Sequence, residues 1–214
     1  MPSRVPPDPA IYHITHVDNL TNILALGHLL CDARVRKVKA AITGIGYEHI
    51  KARRLRRPVG VAAGGHLGDY VPFNFCSRSV MLYVVAQGHD EYKGGQDPIV
   101  HLVSTVRTAI ATGRPWAFTD RHADLGHAAY FADLDQMGEV DWRVMDRTQW
   151  GGDSDVKERR QAEFLVHEWL PWSAIRGVAT RTRETANRVR AILAGHEGSP
   201  AVTVEPGWYY EGIP

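Results

Sequence analysis

The stretch Arg159-Arg160-Gln161-Ala162-Glu163-Phe164-Leu165-Val166-His167 sets a carboxylate at the head of an apolar, β-prone run. A polar, glycine-containing segment, residues 151–157, comes just before it. Glu163 therefore falls where a loop enters a strand, a position that exposes a side chain while the strand holds its backbone. Taken alone, these residues leave two readings open: a functional carboxylate, or a solvated ion pair with Arg159 and Arg160.

Upstream, residues 11–16 (IYHITH) alternate apolar and polar positions with the period of a half-buried strand. Asp18 is placed to cap a short helix over residues 19–26, with Leu20, Ile23 and Leu24 on one face and Gly27 as its left-handed stop. The polar residues at this junction, His13, Thr15 and Asn22, converge on a ligand if the strand end lines a cleft. Residues 33–46 show no clean periodicity and read as a basic loop, and a helix follows over 47–55, ended before Pro58. Residues 61–67 are small and glycine-rich, without the spacing of a phosphate loop. Residues 70–76 read as a strand whose Pro72 favours an edge or an end, and Ser77 is expected to cap a helix over 79–87 that Gly88 stops.

Further on, residues 99–103 predict a central strand, 105–112 a short helix and 116–119 a strand. From 120 to 160 the pattern degrades, and a long irregular segment between strands of a compact domain is often functional. A strand at 178–181, a helix at 184–193 and a strand at 202–205 close the chain. Strands and helices mix without regular βαβ repeats, which predicts an α+β fold.

A chain of 214 residues with 44% hydrophobic positions is sized for one domain. The proline-rich start is unlike a secretion signal, and no run approaches the ~20 apolar residues of a membrane span, so a soluble, cytoplasmic protein is expected. Cys31 and Cys76 are too few for a disulfide framework. The eleven histidines form no HExxH or paired Cys/His spacing, so no metal is expected. The net charge of +1 conceals nine basic residues between Arg34 and Arg57 against the single acid Glu48. That excess reads either as a polyanion surface or as a solvated helix face.

Several separated motifs, in order, resemble the DarT family: Tyr12-His13-Ile14-Thr15-His16, the Arg53-Arg54 helix, Asp69-Tyr70-Val71-Pro72-Phe73, Arg78-Ser79 with Met81-Leu82-Tyr83, Phe118-Thr119-Asp120, Gln161 to Val166, and Trp208-Tyr209-Tyr210. The resemblance runs from about Tyr12 to Tyr210. It implies a toxin of the DarT–DarG toxin–antitoxin system, an ADP-ribosyltransferase that uses NAD+ to modify thymine in single-stranded DNA, with the macrodomain antitoxin DarG as partner. The whole chain, 1–214, is then one ADP-ribosyltransferase domain with a central mixed or antiparallel sheet. It carries a flexible N-terminus at 1–9, a basic NAD- and DNA-binding insert at 33–57 and a substrate-recognition loop at 120–162.

Carried over by motif, Glu163 and Arg54 are the catalytic residues, and His13, Ile14, Thr15, Asn22, Leu30 and Arg54 contact NAD+. Arg34, Arg36, Lys37, Tyr47, Arg78 and Trp150 are candidate DNA contacts, with Tyr70 and Phe73 as further stacking candidates. Cleaving the nicotinamide–ribose bond builds oxocarbenium-like charge, which a carboxylate bonded to a ribose hydroxyl stabilises most as it develops. Thymine N3 must lose its proton. For Arg54 a charge-stabilising role is preferred because a guanidinium stays charged, with proton removal by Arg54 left open and His49 a weaker candidate. An ADP-ribosyltransferase acting on protein, or an NAD glycohydrolase, would keep Glu163 without needing the dense cations. A non-enzymatic single-stranded DNA-binding module would need the cations and be indifferent to Glu163.

Overall fold

The protein's computed structural model describes residues 5–147 and 150–212. Among these residues ten strands and eight α-helices follow in chain order: β1 (Ala10–His16), α1 (Asn19–Leu26), β2 (His28–Leu30), α2 (Asp32–Val38), α3 (Glu48–Arg54), β3 (Tyr70–Asn74), α4 (Val80–Gln87), β4 (Ile99–Thr105), α5 (Val106–Ile110), β5 (Trp116–His122), β6 (Tyr130–Phe131), α6 (Trp142–Met145), α7 (Ser154–Arg159), β7 (Ala162–His167), β8 (Trp169–Pro171), β9 (Gly177–Thr180), α8 (Arg183–Leu193) and β10 (Ala201–Val204). Eight strands form one sheet in the order β10-β9-β4-β1-β3-β7-β5-β6, while β2 and β8 pair separately. The pair β9–β10 is parallel and the other neighbours are antiparallel, so the fold is α+β as expected.

Side chains alternate across this sheet. Ile11, Val71, Phe73, Val100, Leu102, Phe164 and Val166 join one large core on one face, under Leu20 and Ile23 of α1 and Val189 and Leu193 of α8. On the other face the apolar contacts divide in two. Ile14, Ile99, Leu82 of α4 and Tyr209 form one cluster, and Tyr70, Leu165, Ala117 and Ala123 form the second. The division coincides with a break in the sheet: β1 and β3 share only the register pair Tyr12↔Asn74, whereas β1 and β4 pair along their whole length.

Pro72 lies at this break. It sits in the middle of an interior strand rather than at the expected edge or end, paired through β3 with Leu165 of β7. The missing N–H is tolerated because β1 has already diverged on that side, and His13 bridges the opening by donating from Nδ1 to the Pro72 carbonyl at 2.8 Å.

Other local expectations change in detail. Residues 32–38 are a helix, not a loop. None of its residues is buried, so the apolar stripe that would have announced it is absent. Asp18 does not cap α1, because its carboxylate pairs with Arg188 and His16 instead. The cap of α4 is Ser79, whose side chain accepts from Leu82 N at 3.1 Å, rather than Ser77. The segment after Asp120 is shorter in irregular backbone than its composition suggested, since it carries the end of β5, β6, α6 and α7. Of the expected flexible N-terminus, residues 1–4 lie outside the described residues, while Val5 packs on the core and the Pro9 carbonyl accepts from Val106 N.

Candidate active site

Where β1 and β3 part, a cavity of about 310 Å³ opens between β1, α1, α3, α4 and the segment 40–47. Its size lies at the low end of small-molecule sites. β1 lends it three consecutive residues, His13, Ile14 and Thr15. Neighbours on a strand point to opposite faces, so all three reach one cavity only because the adjoining strand has peeled away.

At the cavity's foot Glu163 and Arg54 meet, although 109 positions separate them. Arg54 Nη1 donates to Glu163 Oε1 at 3.0 Å and Nη2 to Oε2 at 2.8 Å. Glu163 is only 5% exposed and Arg54 8%, so the expectation of an exposed carboxylate is overturned. The reason is that the loop before β7 does not leave the strand's head open: α3 and the end of β5 close over it. Burial pushes the Glu163 carboxyl up, but the Arg54 guanidinium more than offsets this, helped by His122 and the Ala123 N–H, and the net effect holds it below the usual carboxylate range. For Arg54, burial pulls the pKa down and Glu163 outweighs it, leaving the guanidinium more firmly protonated than usual.

Arg159 and Arg160 take no part in holding the carboxylate. Arg159 pairs with Asp141 and Asp155, and Arg160, 2% exposed, donates to the carbonyls of Val144, Met145 and Arg78. Instead, α3 is held against the end of β5 by Asp124, a buried carboxylate that pairs with Arg53 and Arg57 on either side of Arg54. The sequence reading missed Asp124, since nothing local distinguishes it from a loop aspartate.

α1 secures the cavity's roof. Asn19 accepts from Thr43 N at 2.7 Å, donates to the Thr43 carbonyl at 3.0 Å and to Thr15 Oγ1 at 3.0 Å, and Asn22 donates to the Ala41 carbonyl. These two asparagines, three positions apart on one helical face, clamp the segment 41–43 over His13 and Thr15. Asn22 and Leu30 both line the cavity, as do Gln161 of the Glu163 motif and Asn74 and His122, which the sequence did not single out. His13 is held below the usual histidine pKa, first by burial and against the opposing bond to Pro72. Because a carbonyl only accepts, the neutral ring carries its proton on Nδ1 and leaves Nε2 as an acceptor. His122 is likewise lowered by burial, with Glu163 and Arg54 acting on it in opposite directions.

The cationic stretch is largely neutralised. Arg34 pairs with Glu168, Arg36 and Lys51 with Glu48, Arg53 and Arg57 with Asp124, and Arg54 with Glu163. Among the described residues Lys37, Lys39 and Arg56 are the members without an ion pair. Folding thus reduces the excess seen in the linear count, because three of the four acids that answer it, Asp124, Glu163 and Glu168, come from distant segments. Of the aromatic candidates, Tyr70 and Phe73 are core residues and cannot stack on a base. Tyr47 lines the cavity and packs on His89 and His49, the ring of His49 lying outside the lining. Trp150 is half-buried, edge-on to Tyr83 and Tyr210, and the Arg78 guanidinium lies over the Tyr210 ring at 4.8 Å. Cys31 and Cys76 are free and buried, and burial pushes the Cys76 thiol to about 11, which leaves it unreactive. Among the described residues no three His, Cys, Asp or Glu side chains are grouped to hold a metal ion, and no helix is long and apolar enough to cross a membrane.

This mixed sheet, parted at its centre with a buried glutamate paired to an arginine at the foot of the cleft, belongs by comparison with known proteins to an NAD-dependent ADP-ribosyltransferase. Residues 12–210 match the family described as DarT, ssDNA thymidine ADP-ribosyltransferase. The chain belongs to the DarT family. It is 41% identical over 210 residues to a DNA ADP-ribosyl transferase of Thermus sp. (strain 2.9), covering 97% of this chain and 99% of that one. Among solved structures, Thermus sp. 2.9 DarT in complex with ADP-ribosylated ssDNA superposes with a TM-score of 0.93 at 39% identity, covering 98% of this chain and all of the other. The same Thermus protein in complex with NAD+ superposes with a TM-score of 0.86 at 37% identity, covering 97% and 100%.

Proposed function

We propose that this protein transfers ADP-ribose from NAD+ to a thymine base of single-stranded DNA, releasing nicotinamide. The observation that carries the reading is the Arg54–Glu163 pair at the foot of the cavity, in a chain whose relatives hold NAD+ and ADP-ribosylated DNA. His13, Ile14, Thr15, Asn22, Leu30 and Arg54 line the space in which NAD+ binds.

The hydrogen bonds of Glu163 support different tasks for its two oxygens. Oε1 accepts from Arg54 and from Ala123 N at 3.2 Å, which fills its two lone pairs, while among the described residues Oε2 accepts from Arg54 alone. Oε2 is therefore the atom left to accept from a ribose hydroxyl and to stabilise the sugar as positive charge develops. Arg54, paired and cationic, has no lone pair to take a proton, so it stabilises the thymine once N3 is deprotonated. The neutral His122 imidazole, in the same cavity, is the acceptor for that proton. An unpaired or flipped base is required, because a duplex buries the edge that carries N3.

For the DNA we assign Tyr47, Arg78 and Trp150 as base or backbone contacts and Lys37 as a phosphate contact, with Arg34 and Arg36 contributing only insofar as their ion pairs open. The segment 33–57 serves as the NAD+- and DNA-binding insert, and 120–162 carries the substrate-recognising residues into Glu163. A macrodomain antitoxin of the DarG type is the protein partner, and the cytoplasm, which supplies NAD+ and DNA together, is the compartment.

Incubation with labelled NAD+ and either a thymine-bearing or a thymine-free oligonucleotide tests the reading. Label on the thymine-bearing strand alone is the expected result. Hydrolysis of NAD+ with no labelled DNA would replace it with a glycohydrolase, and label on protein with a protein-directed enzyme.

A further inference from the structure

The motif Phe118-Thr119-Asp120 includes a hydroxyl that the site as described does not use. Next to Glu163 the ladder between β5 and β7 is irregular: Phe118 pairs with Phe164 and His122 with Ala162, so four steps along β5 match two along β7. Glu163 sits on β7 inside this bulge, where a regular ladder partner for its N–H is missing. Thr119, fully buried, supplies one. Its Oγ1 accepts from Glu163 N at 3.1 Å and donates to the Arg121 carbonyl at 2.6 Å.

We infer that Thr119 is a positioning residue for Glu163, its hydroxyl replacing the absent ladder bond and holding the bulge in the shape that brings Ala123 N–H to Glu163 Oε1. The inference rests on Glu163 being the catalytic carboxylate. One side of the hydroxyl grips the backbone of Glu163 and the other the carbonyl two residues before Ala123, so a single group sets both ends of the bond from Ala123 N to Glu163 Oε1 at 3.2 Å. Tyr130, which donates from its hydroxyl to the Ala123 carbonyl, braces the same turn from outside. Bulges beside active sites commonly re-aim a side chain in this way.

Thr119→Val keeps the shape and removes the hydroxyl, whereas Thr119→Ser keeps the hydroxyl. At saturating NAD+ and oligonucleotide, Thr119→Val should lower kcat by about 10- to 100-fold, the scale of a misplaced catalytic group. KM for NAD+ should stay within about two-fold, since the aim of the Glu163 carboxylate matters chiefly in the transition state. The acid limb of kcat should move to higher pH, because Glu163 loses support for its charge, and Thr119→Ser should restore both rate and profile. Thr180 provides the structural control: equally buried, on β9, its hydroxyl meets the carbonyls of Thr182 and Thr203. Thr180→Val should cost comparable thermal stability and leave kcat unchanged.

Parental kcat in Thr119→Val, or an equal loss in Thr180→Val, would overturn the inference. Thr119→Ala serves if the valine variant does not fold. Amide hydrogen exchange at Glu163 and Ala123 tests the geometry without turnover: faster exchange in Thr119→Val and parental protection in Thr119→Ser are expected, and unchanged protection in the valine variant refutes the role. A parent protein that modifies no DNA would instead count against the transferase function proposed above, and the exchange result would still decide Thr119.

Discussion

Among the described residues, Arg54→Ala leaves the buried Glu163 carboxylate with the Ala123 N–H as its one remaining hydrogen bond and His122 as the one remaining nearby side chain that favours its charge, and the consequence is a pH-dependent loss of stability. In the parent, the carboxyl is held below its ordinary value, so its contribution is present above about pH 4.3 and lost as pH falls through the folded value. Without Arg54 the dominant remaining influence is burial, which raises the folded value above the unfolded one. The sign then reverses, and the variant loses stability as pH rises. Both side chains are at most one-tenth exposed, so screening by water is weak, and breaking a buried pair of this kind costs about 3–5 kcal/mol. That loss should be full at pH 8 and smaller at pH 5. Urea unfolding of the parent, Arg54→Ala, Glu163→Gln and the double variant, at both pH values, completes the cycle. The double variant should be more stable at pH 8 than Arg54→Ala alone, since the stranded charge has gone. If Arg54→Ala loses less than about 1 kcal/mol at pH 8, or if the added Glu163→Gln lowers stability further, the pair is not the buried, charge-compensated unit described here.

Glu163→Gln should fold and keep NAD+ affinity measured by calorimetry, while DNA modification falls by about three orders of magnitude or more, because the interaction removed is made chiefly in the transition state. Replacing Lys37, Lys39 and Arg56 with Ala should weaken oligonucleotide binding and flatten its salt dependence by about 0.7 in slope for each phosphate that is no longer neutralised; an unchanged slope would place the DNA elsewhere. The buried His101 is pushed down to about 4 by burial, against its bond to Ser77, so the folded state holds it neutral. Stability is therefore complete above pH 6.5 and declines toward pH 4, by about 3 kcal/mol from this group. Urea unfolding of His101→Gln across that range should show a shallower acid slope than the parent.

Much of the framework is local and was readable as such. Alternation marks β1, the apolar run after Glu163 marks β7, and the stripe of Leu20 and Ile23 with Gly27 beyond it marks α1, because each buries one face against the same core. α2 escaped for the converse reason: it buries no residue, so its periodicity carried no signal. The motifs at Glu163, Arg54, His13 and Thr15 also named residues that the cavity does bring together. What they could not contain is which charge answers which. Glu163 lies beside Arg159 and Arg160 in the chain yet pairs with Arg54, and the cations of 34–57 are met by Glu48, Asp124, Glu163 and Glu168. The pairings with Glu163 and Asp124 depend on the parting of β1 from β3 and on the irregular register at the end of β5, which join segments tens of residues or more apart in the chain. Ion pairs carry no sequence period, so local pattern identified the groups and the tertiary fold decided their partners.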